Sequence, residues 1–258
     1  MIRGIDHLVI AVADLEAAVK DYKALGFTVV PGGRHTGIGT YNALIAFADG
    51  AYLELIGFSE PRADHRWWAP LQKGGGLVDF CLQTDDLAAD ARAFRAAGVA
   101  MGEPEPRDRQ RPDGFEVRWR FALAAEPQRG VAPFIIADET PRDERVPRAR
   151  SHENGVTGIG TLTVAVEDVD TVEGWYARAL GRPGQRVERH ELDAAGVRFA
   201  VGPHVLDFVT PRGAGAASLT EWLRTRGPSP YAATLRSEGR EVGPLDDSRT
   251  HGARLALV

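Results

Sequence analysis

GIDHLVIAVADLEAAVKDYKALG, residues 4–26, decides the fold because it recurs as GIGTLTVAVEDVDTVEGWYARALG at residues 158–181. Each copy runs from an apolar strand pattern through an aspartate, Asp14 or Asp168, into a helix pattern that ends on a glycine. Further strand-like runs follow each copy, separated by glycine, proline and aspartate. The repeat therefore predicts a module of one strand, one helix and three strands.

The rest of the chain contains two weaker copies of this module. One starts at Leu77 with LVDFCLQT, and the last stretch, YAATLRS followed by ARLALV, looks like a fourth copy that has lost its helix. Between the halves, DETPRDERVPRARSHENG, residues 138–155, is dense in charge and proline, a composition typical of exposed linkers. We therefore predict two domains, residues 1–150 and residues 151–258.

Composition and charge exclude several classes of partner. The chain of 258 residues has 31 Lys and Arg against 36 Asp and Glu, so it lacks the basic excess that nucleic acids or anionic membranes attract. A single cysteine, Cys81, excludes an intrachain disulfide and favours a reducing compartment. The N-terminal apolar run is too short to span a membrane. We expect a cytoplasmic protein, monomeric or homodimeric, whose partner is a small molecule.

Three ionisable residues lie at the centres of otherwise apolar strands. Strand alternation places His7 on one apolar face with Ile5 and Val9, where it is either a core histidine with one hydrogen-bond partner or a site residue. Glu54 in AYLELIGF and Asp79 in LVDFCL are costly to bury unless each has a cation or a partner. Together they predict a shared pocket in which both carboxylates are catalytic candidates.

The second half repeats only part of this chemistry. Aligned on the repeat, Thr161 corresponds to His7, and Asp207 corresponds to Glu54. The second half thus keeps one carboxylate without the imidazole. We expect the chemistry in the first half and a structural or ligand-covering role for the second.

Two segments offer candidate ligand-binding residues. The glycine-rich run PGGRHTGIGTYN, residues 31–42, is either a bulged hairpin or a pocket rim that presents His35, Thr40 and Asn42. In RDRQRPDGFEVRW, residues 107–119, Arg111 is suited to a carboxylate and Trp119 to an apolar ligand body, although arginines here could equally be solvated. These residues predict a small acidic ligand.

The chain resembles the glyoxalase-like group of the vicinal oxygen chelate superfamily, which includes glyoxalases, bleomycin resistance proteins and extradiol dioxygenases. The motifs that carry the resemblance are GIDHLVIAVADLEAAV, PGGRHTGIGTYN, YLELI, RPDGFEVRW, PFII and HENG, which span most of the chain. The resemblance implies an α+β fold in which tandem βαβββ modules form two cupped mixed β-sheets with flanking helices, the fourth module being truncated.

The same resemblance implies a metal site. In this superfamily the ligands come from the first and last strands of each module, at four positions that usually hold histidine, glutamine or glutamate. Three of these positions fall on His7, Glu54 and Asp79, although a histidine is usual where Asp79 stands. The fourth falls at about Ile135, which cannot bind a metal. The implied cofactor is a divalent ion, Fe, Mn, Zn or Ni.

The resemblance, taken with these residues, implies two functions. The first is a metal-dependent enzyme of the lyase, isomerase or ring-opening, dioxygenase-like class, acting on a small oxygenated and acidic substrate. The alternative is a metal-free protein that binds a small molecule or sequesters an antibiotic in the same fold, which the missing fourth ligand favours.

Overall fold

The first half of the chain contains two successive modules, as the repeat predicts. In the computed structural model, which describes residues 1–239 and 242–258, the first module consists of β1 (Ile2–Ala11), α1 (Leu15–Ala24), β2 (Val30–His35), β3 (Thr40–Ala46) and β4 (Tyr52–Phe58). The short helix α2 (Trp68–Gln72) follows. The second module consists of β5 (Gly76–Thr84), α3 (Leu87–Ala96), β6 (Glu105–Gln110), β7 (Glu116–Ala122) and β8 (Phe134–Asp138).

The strands of these two modules close into a barrel, in the order β1-β4-β3-β2-β6-β7-β8-β5. Strand β1 lies parallel to β4 and antiparallel to β5, so His7 is flanked by Tyr52 and Cys81. Helices α1 and α3 begin after Asp14 and Asp86, whose carboxylates accept hydrogen bonds from backbone N–H groups in the first turn. The caps fix where each strand turns into its helix.

The second half forms a seven-stranded sheet in the order β10-β11-β12-β9-β13-β15-β14. The short helix α4 (Arg142–Arg145) precedes this half. The elements of the second half are β9 (Val156–Ala165), α5 (Val169–Leu180), β10 (Gln185–Arg189), β11 (Ala194–Val201), β12 (His204–Pro211), α6 (Ala217–Arg226), β13 (Ser229–Ser237), β14 (Gly243–Pro244) and β15 (Leu255–Leu257). Within the described ranges no helix follows β13, so the last module is truncated. The predicted α+β class with two sheets is confirmed.

The two halves pack on one apolar core. Tyr22 of α1 donates its hydroxyl to the carbonyl of Thr250 at 3.1 Å, and Tyr176 of α5 donates to the carbonyl of Val131 at 2.8 Å. Both tyrosines are fully buried within a single cluster that draws on both sheets. The domain boundary near Arg150 falls between β8 and β9 and stays a prediction, because the halves share their core.

No helix in the described part of the chain is both long and apolar enough to cross a membrane.

The connector, defined as residues 139–155 between β8 and β9, packs against the barrel. The prediction of an exposed linker is wrong for its central part: Arg145 is only 3% exposed, and both Arg142 and Arg145 bind Asp6 on β1. The composition of a segment shows how many charged residues it has, but not which residues they pair with. Here the partner is a buried carboxylate far away in the sequence.

Candidate functional site

A cavity of about 300 Å³ lies inside the first barrel. Its apolar lining consists of Ile38, Trp67, Trp119, Phe121, Leu123, Phe134 and Ile136. Its polar lining includes His7, His35, Asn42, Tyr52, Glu54 and Arg109. A volume of this size, with an apolar body and a few polar groups, suits a small ligand.

Glu54 on β4 is the centre of the polar cluster. Asn42 on the neighbouring strand β3 donates to Glu54 Oε1 at 2.6 Å. The Nε2 atoms of His7 and His35 lie 3.5 Å from Glu54 Oε2 and 3.7 Å from Oε1. The side chain is only 7% exposed. The structure thus brings His7, His35, Asn42 and Glu54 together in the cavity.

The environment sets the charges of this cluster. Burial alone would raise the pKa of Glu54, but His7, His35 and the Asn42 hydrogen bond outweigh it and lower that pKa below its usual range. Burial lowers the pKa of His35 to about 4, against a weaker opposing effect of Glu54. At neutral pH the cluster therefore combines a Glu54 carboxylate with a neutral His35 imidazole, whose Nδ1 lies 2.9 Å from Thr40 Oγ1.

Strand β1 presents His7 to the cavity through a β-bulge. Its pairing with β5 shifts register between Ile5 and His7, so Ile5 packs with Leu8 in the core beneath the helices. The prediction that Ile5 and His7 share a face is therefore wrong, because a bulge inserts one residue and breaks the alternation. His7 Nδ1 lies 2.7 Å from Asp6 Oδ1, and its ring stacks on Tyr52 at 4.6 Å.

Asp6 is a fully buried carboxylate held by the connector. Arg145 donates to its two oxygens at 2.9 and 2.8 Å, and Arg142 donates at 2.5 Å. Burial alone would raise the pKa of Asp6, but the two guanidinium groups and the His7 hydrogen bond hold it well below its usual range. Because Asp6 directly precedes His7, the sequence itself contained a signal for this pair. Arg145 lies 139 residues away from Asp6, and no local pattern indicated it.

Asp79 lies apart from the His7–Glu54 cluster. Its carboxylate accepts a hydrogen bond from Trp67 Nε1 at 2.9 Å and lies 2.7 Å from Arg66 Nη2. It is fully buried and does not line the cavity, whereas both of its partners do. The structure therefore does not unite Asp79 with the predicted ligand set. Asp79 instead anchors the segment of residues 59–67, which covers part of the cavity.

The predicted ligand-binding residues divide between the cavity and its surroundings. His35, Asn42 and Trp119 line the cavity, and Thr40 lies behind His35 as its hydrogen-bond partner. Arg111 does not line the cavity, because it follows the end of β6 and binds Asp113 and Glu144.

Arg109 lies in the cavity where Arg111 was expected. It is 3% exposed, and alternation along β6 places it on the cavity side. It donates to Asn42 Oδ1 at 3.3 Å and to the carbonyl of Arg145 at 3.0 Å. Within the described ranges no carboxylate oxygen lies within 4.0 Å of its nitrogens, so its charge has no direct ion pair.

The counterpart of Glu54 in the second half is already neutralised. Asp207 is fully buried, and Arg198 contacts both of its oxygens at 2.7 Å while Arg189 adds a third contact at 2.7 Å. Thr161, the counterpart of His7, lies on β9 beside the same strand. The structural or ligand-covering role expected for this half stays a prediction.

The described residues include few clusters of donors that could hold a metal ion. One trio of His, Cys, Asp or Glu has its donor atoms within 4.8 Å of one another: Asp6, His7 and Cys81. Asp6 is committed to Arg145, and burial raises the pKa of the Cys81 thiol well above its usual range, so this trio is a poor metal site. The donors of His7, Glu54 and His35 are chemically better suited, but they do not all lie within 4.8 Å of one another, so one imidazole would have to move before all three could bind one ion.

Comparison with known proteins identifies the fold. The chain aligns with a hypothetical protein from Staphylococcus aureus over 100% of its own length and 99% of that chain, with a TM-score of 0.73 and 14% identity. It aligns with a mutant of 4-hydroxymandelate synthase from Streptomyces coelicolor over 97% and 74% of the two chains, with a TM-score of 0.60 and 17% identity. At these identities the likeness concerns the fold.

Among curated proteins no sequence matches the chain. A family model, however, described as a glyoxalase-like domain, matches residues 5–180, which include both modules of the barrel and the start of the second sheet. The chain therefore belongs to the glyoxalase-like domain family.

Proposed function

We propose that this protein is a divalent-metal-dependent enzyme whose active site is the cavity of the first barrel. The observation that carries the proposal is the environment of Glu54. This carboxylate is buried and ionised, and within the described ranges no Lys or Arg nitrogen lies within 4.0 Å of it. Arg109 acts on Glu54 only from beyond that distance, and a buried carboxylate without a cation in direct contact is costly, so an ion bound beside Glu54 would lower that cost.

The donor set fits such an ion in type, and each imidazole by itself lies close enough to Glu54 to share an ion with it, although both imidazoles could bind the same ion only after one of them moved. Two atoms that each bind an ion at about 2.1 Å can lie no more than about 4.2 Å apart. The distances from Glu54 to His7 and His35, 3.5 and 3.7 Å, lie within that limit. Two imidazoles and one carboxylate are a donor combination used by Fe, Mn, Zn and Ni sites. When bound, such an ion would act as a Lewis acid toward charge on substrate oxygens.

The surrounding residues would supply binding and orientation. Trp119 and Phe134 offer flat apolar surfaces to the body of a small substrate, and Arg109 supplies a buried positive charge for an acidic group. Trp67, held over the cavity by Asp79, would limit access of water. These features support a small oxygenated, acidic substrate and chemistry of the lyase, isomerase or ring-opening class.

A metal-free binding protein is the second candidate, and the ligand positions of the superfamily favour it. Asp79 is committed to Arg66 and Trp67, and Ile135 is apolar and fully buried. Of the four positions, this leaves His7 and Glu54 as available donors. In this function the cavity would hold an aromatic acid without converting it.

Elemental mass spectrometry on untagged protein, after incubation with Fe, Mn, Zn or Ni and removal of free ions, distinguishes the two functions. We expect about one ion per chain in the wild type and none in a Glu54→Gln variant, which keeps the shape of the side chain but loses its charge. Asp207→Asn is the matched control, since it alters the corresponding carboxylate of the second half and should keep the ion. A wild type that binds none of the four metals would contradict the enzyme proposal and favour the binder.

A further inference from the structure

We propose that Arg145 of the connector is a positioning residue for His7: it fixes which imidazole nitrogen carries the proton and so directs the free lone pair of Nε2 toward Glu54. The inference concerns a residue outside the superfamily ligand positions and outside the cluster around Glu54. It holds whether Nε2 binds an ion or accepts a proton.

The first step is the way in which His7 is held. Its Nδ1 lies 2.7 Å from Asp6 Oδ1, and its ring stacks on Tyr52 with a centroid separation of 4.6 Å and an angle of 18°. Its Nε2 is the nitrogen that faces Glu54. Two supports, Asp6 at one edge and Tyr52 on one face, therefore define the orientation of the imidazole.

The second step is that Arg145 contacts both supports at once. Its Nη1 donates to Asp6 Oδ1 at 2.9 Å and to the Tyr52 hydroxyl at 2.8 Å, and its Nη2 donates to Asp6 Oδ2 at 2.8 Å. The guanidinium is itself held by Asp138 at the end of β8. A planar fork with fixed donors suits this double contact, which a flexible lysine could not reproduce.

The third step follows from the charge on Asp6. An ionised carboxylate can accept hydrogen bonds but cannot donate them. Because Arg145 and Arg142 both pair with the fully buried Asp6, Asp6 remains an acceptor, and His7 Nδ1 must be the donor. In the neutral imidazole this leaves Nε2 without a proton, which is the form that a ligand or a general base requires.

The experiment reads the tautomer of His7 directly. We would label the imidazole nitrogens of the seven histidines with ¹⁵N, record long-range ¹H–¹⁵N spectra of the full-length, chelator-treated protein, and assign His7 by the loss of its signals in His7→Gln. The wild type should show His7 protonated at Nδ1. In Arg145→Met a substantial fraction should be protonated at Nε2 instead.

A second readout is the affinity for Mn²⁺ or Zn²⁺, measured by competition with a fluorescent chelator. Loss of a group that orients a ligand weakens binding by about 10- to 100-fold, and we expect a loss in that range for Arg145→Met. The tautomer is measured without metal, so it still decides this inference if the wild type binds no ion. Failure of the proposed function and failure of this inference can thus be told apart.

Arg111→Met is the matched control. Arg111 binds Glu144 of the same connector but does not contact Asp6 or Tyr52, so its loss should loosen the segment without altering His7. An unchanged His7 tautomer in folded Arg145→Met, or an equal change in Arg111→Met, would overturn the proposal. If Arg145→Met does not fold, Arg145→Lys keeps a positive charge without the fork, and an unchanged tautomer and affinity there would also overturn it.

Discussion

Glu54 and Asp79 are two carboxylates buried at the centres of strands, and what distinguishes them is the type of partner. Asp79 lies beside a guanidinium and an indole N–H, whereas Glu54 lies beside two imidazoles and an amide. The first set satisfies a carboxylate completely within the protein. The second leaves the negative charge of Glu54 without a guanidinium in direct contact, which is why our proposal assigns chemistry to Glu54 and anchoring to Asp79.

Replacing Asp79 should therefore affect stability and spare metal binding. Asp79→Ala leaves Arg66 partly buried without its carboxylate, which we expect to lower the free energy of unfolding by about 3 kcal/mol. Urea denaturation measures this change, and elemental analysis should find the ion still bound. Asp64→Ala is the control on the same segment, because it removes an exposed partner of Arg62 and should leave stability nearly unchanged. Loss of the ion in Asp79→Ala would instead make Asp79 a ligand.

How far the sequence predicts individual site residues depends on where their partners lie. His7 and Glu54 could be predicted because an ionisable residue within an apolar strand can be recognised from a short stretch of sequence. Arg109 was missed in favour of Arg111, two residues away, because the end of β6 decides which arginine points inward. Arg145 could not be predicted, since its role depends on a contact with Asp6, which lies 139 residues away in the sequence.

At the scale of elements, the barrel closes where β2 of the first module meets β6 of the second. This seam pairs Arg34 with Gln110 and His35 with Arg109, a much shorter ladder than that between β3 and β4. Close approach at the seam requires Gly33, whose φ is +132° and where an added Cβ would lie 2.0 Å from the carbonyl oxygen of Gln110. The repeat predicted both modules, but not the seam, because pairing between distant strands leaves no periodic signal.

Gly33→Ala should open this seam. We expect a loss of about 1–3 kcal/mol in the free energy of unfolding, with faster amide hydrogen exchange in β2 and β6 and weaker metal binding through displacement of His35. Gly37→Ala is the matched control, since its φ is also positive, at +74°, but no described atom lies within 4 Å of the added Cβ. Equal destabilisation in the two variants would show that the cost comes from the positive φ alone and that the contact of the added Cβ with Gln110 contributes nothing.

At the scale of the whole molecule, Asp49 joins the barrel to the second sheet. It follows β3 and contacts His204 Nε2 at 3.1 Å, Arg236 Nη2 at 2.7 Å and the backbone N–H of Ile159 at 2.9 Å. Burial alone would raise the pKa of Asp49, but the bonds from His204 and backbone N–H groups lower it below the usual value. The association of the halves is thus linked to an ionised carboxylate.

The sign of this linkage predicts acid sensitivity. A carboxyl whose pKa is lower in the folded state stabilises the protein above its unfolded pKa, near 3.9, and that stabilisation is lost as the pH falls through the folded pKa. Thermal unfolding should therefore shift to lower temperature below about pH 4. In Asp49→Asn the melting temperature at pH 7 should already be lower than in the wild type. It should also decrease less than in the wild type as the pH falls. An unchanged acid profile would exclude Asp49 as a source of the effect.

The pairing of Asp207 with Arg189 and Arg198 has a consequence for stoichiometry. In the second sheet the counter-charge is covalently part of the chain, so it is present at every ion concentration and cannot be exchanged. With the ion that we propose at Glu54, the duplicated modules would give a molecule with two acidic centres but one exchangeable counterion. Saturation with a divalent ion should follow a single-site isotherm, without the cooperativity that two equivalent centres would permit.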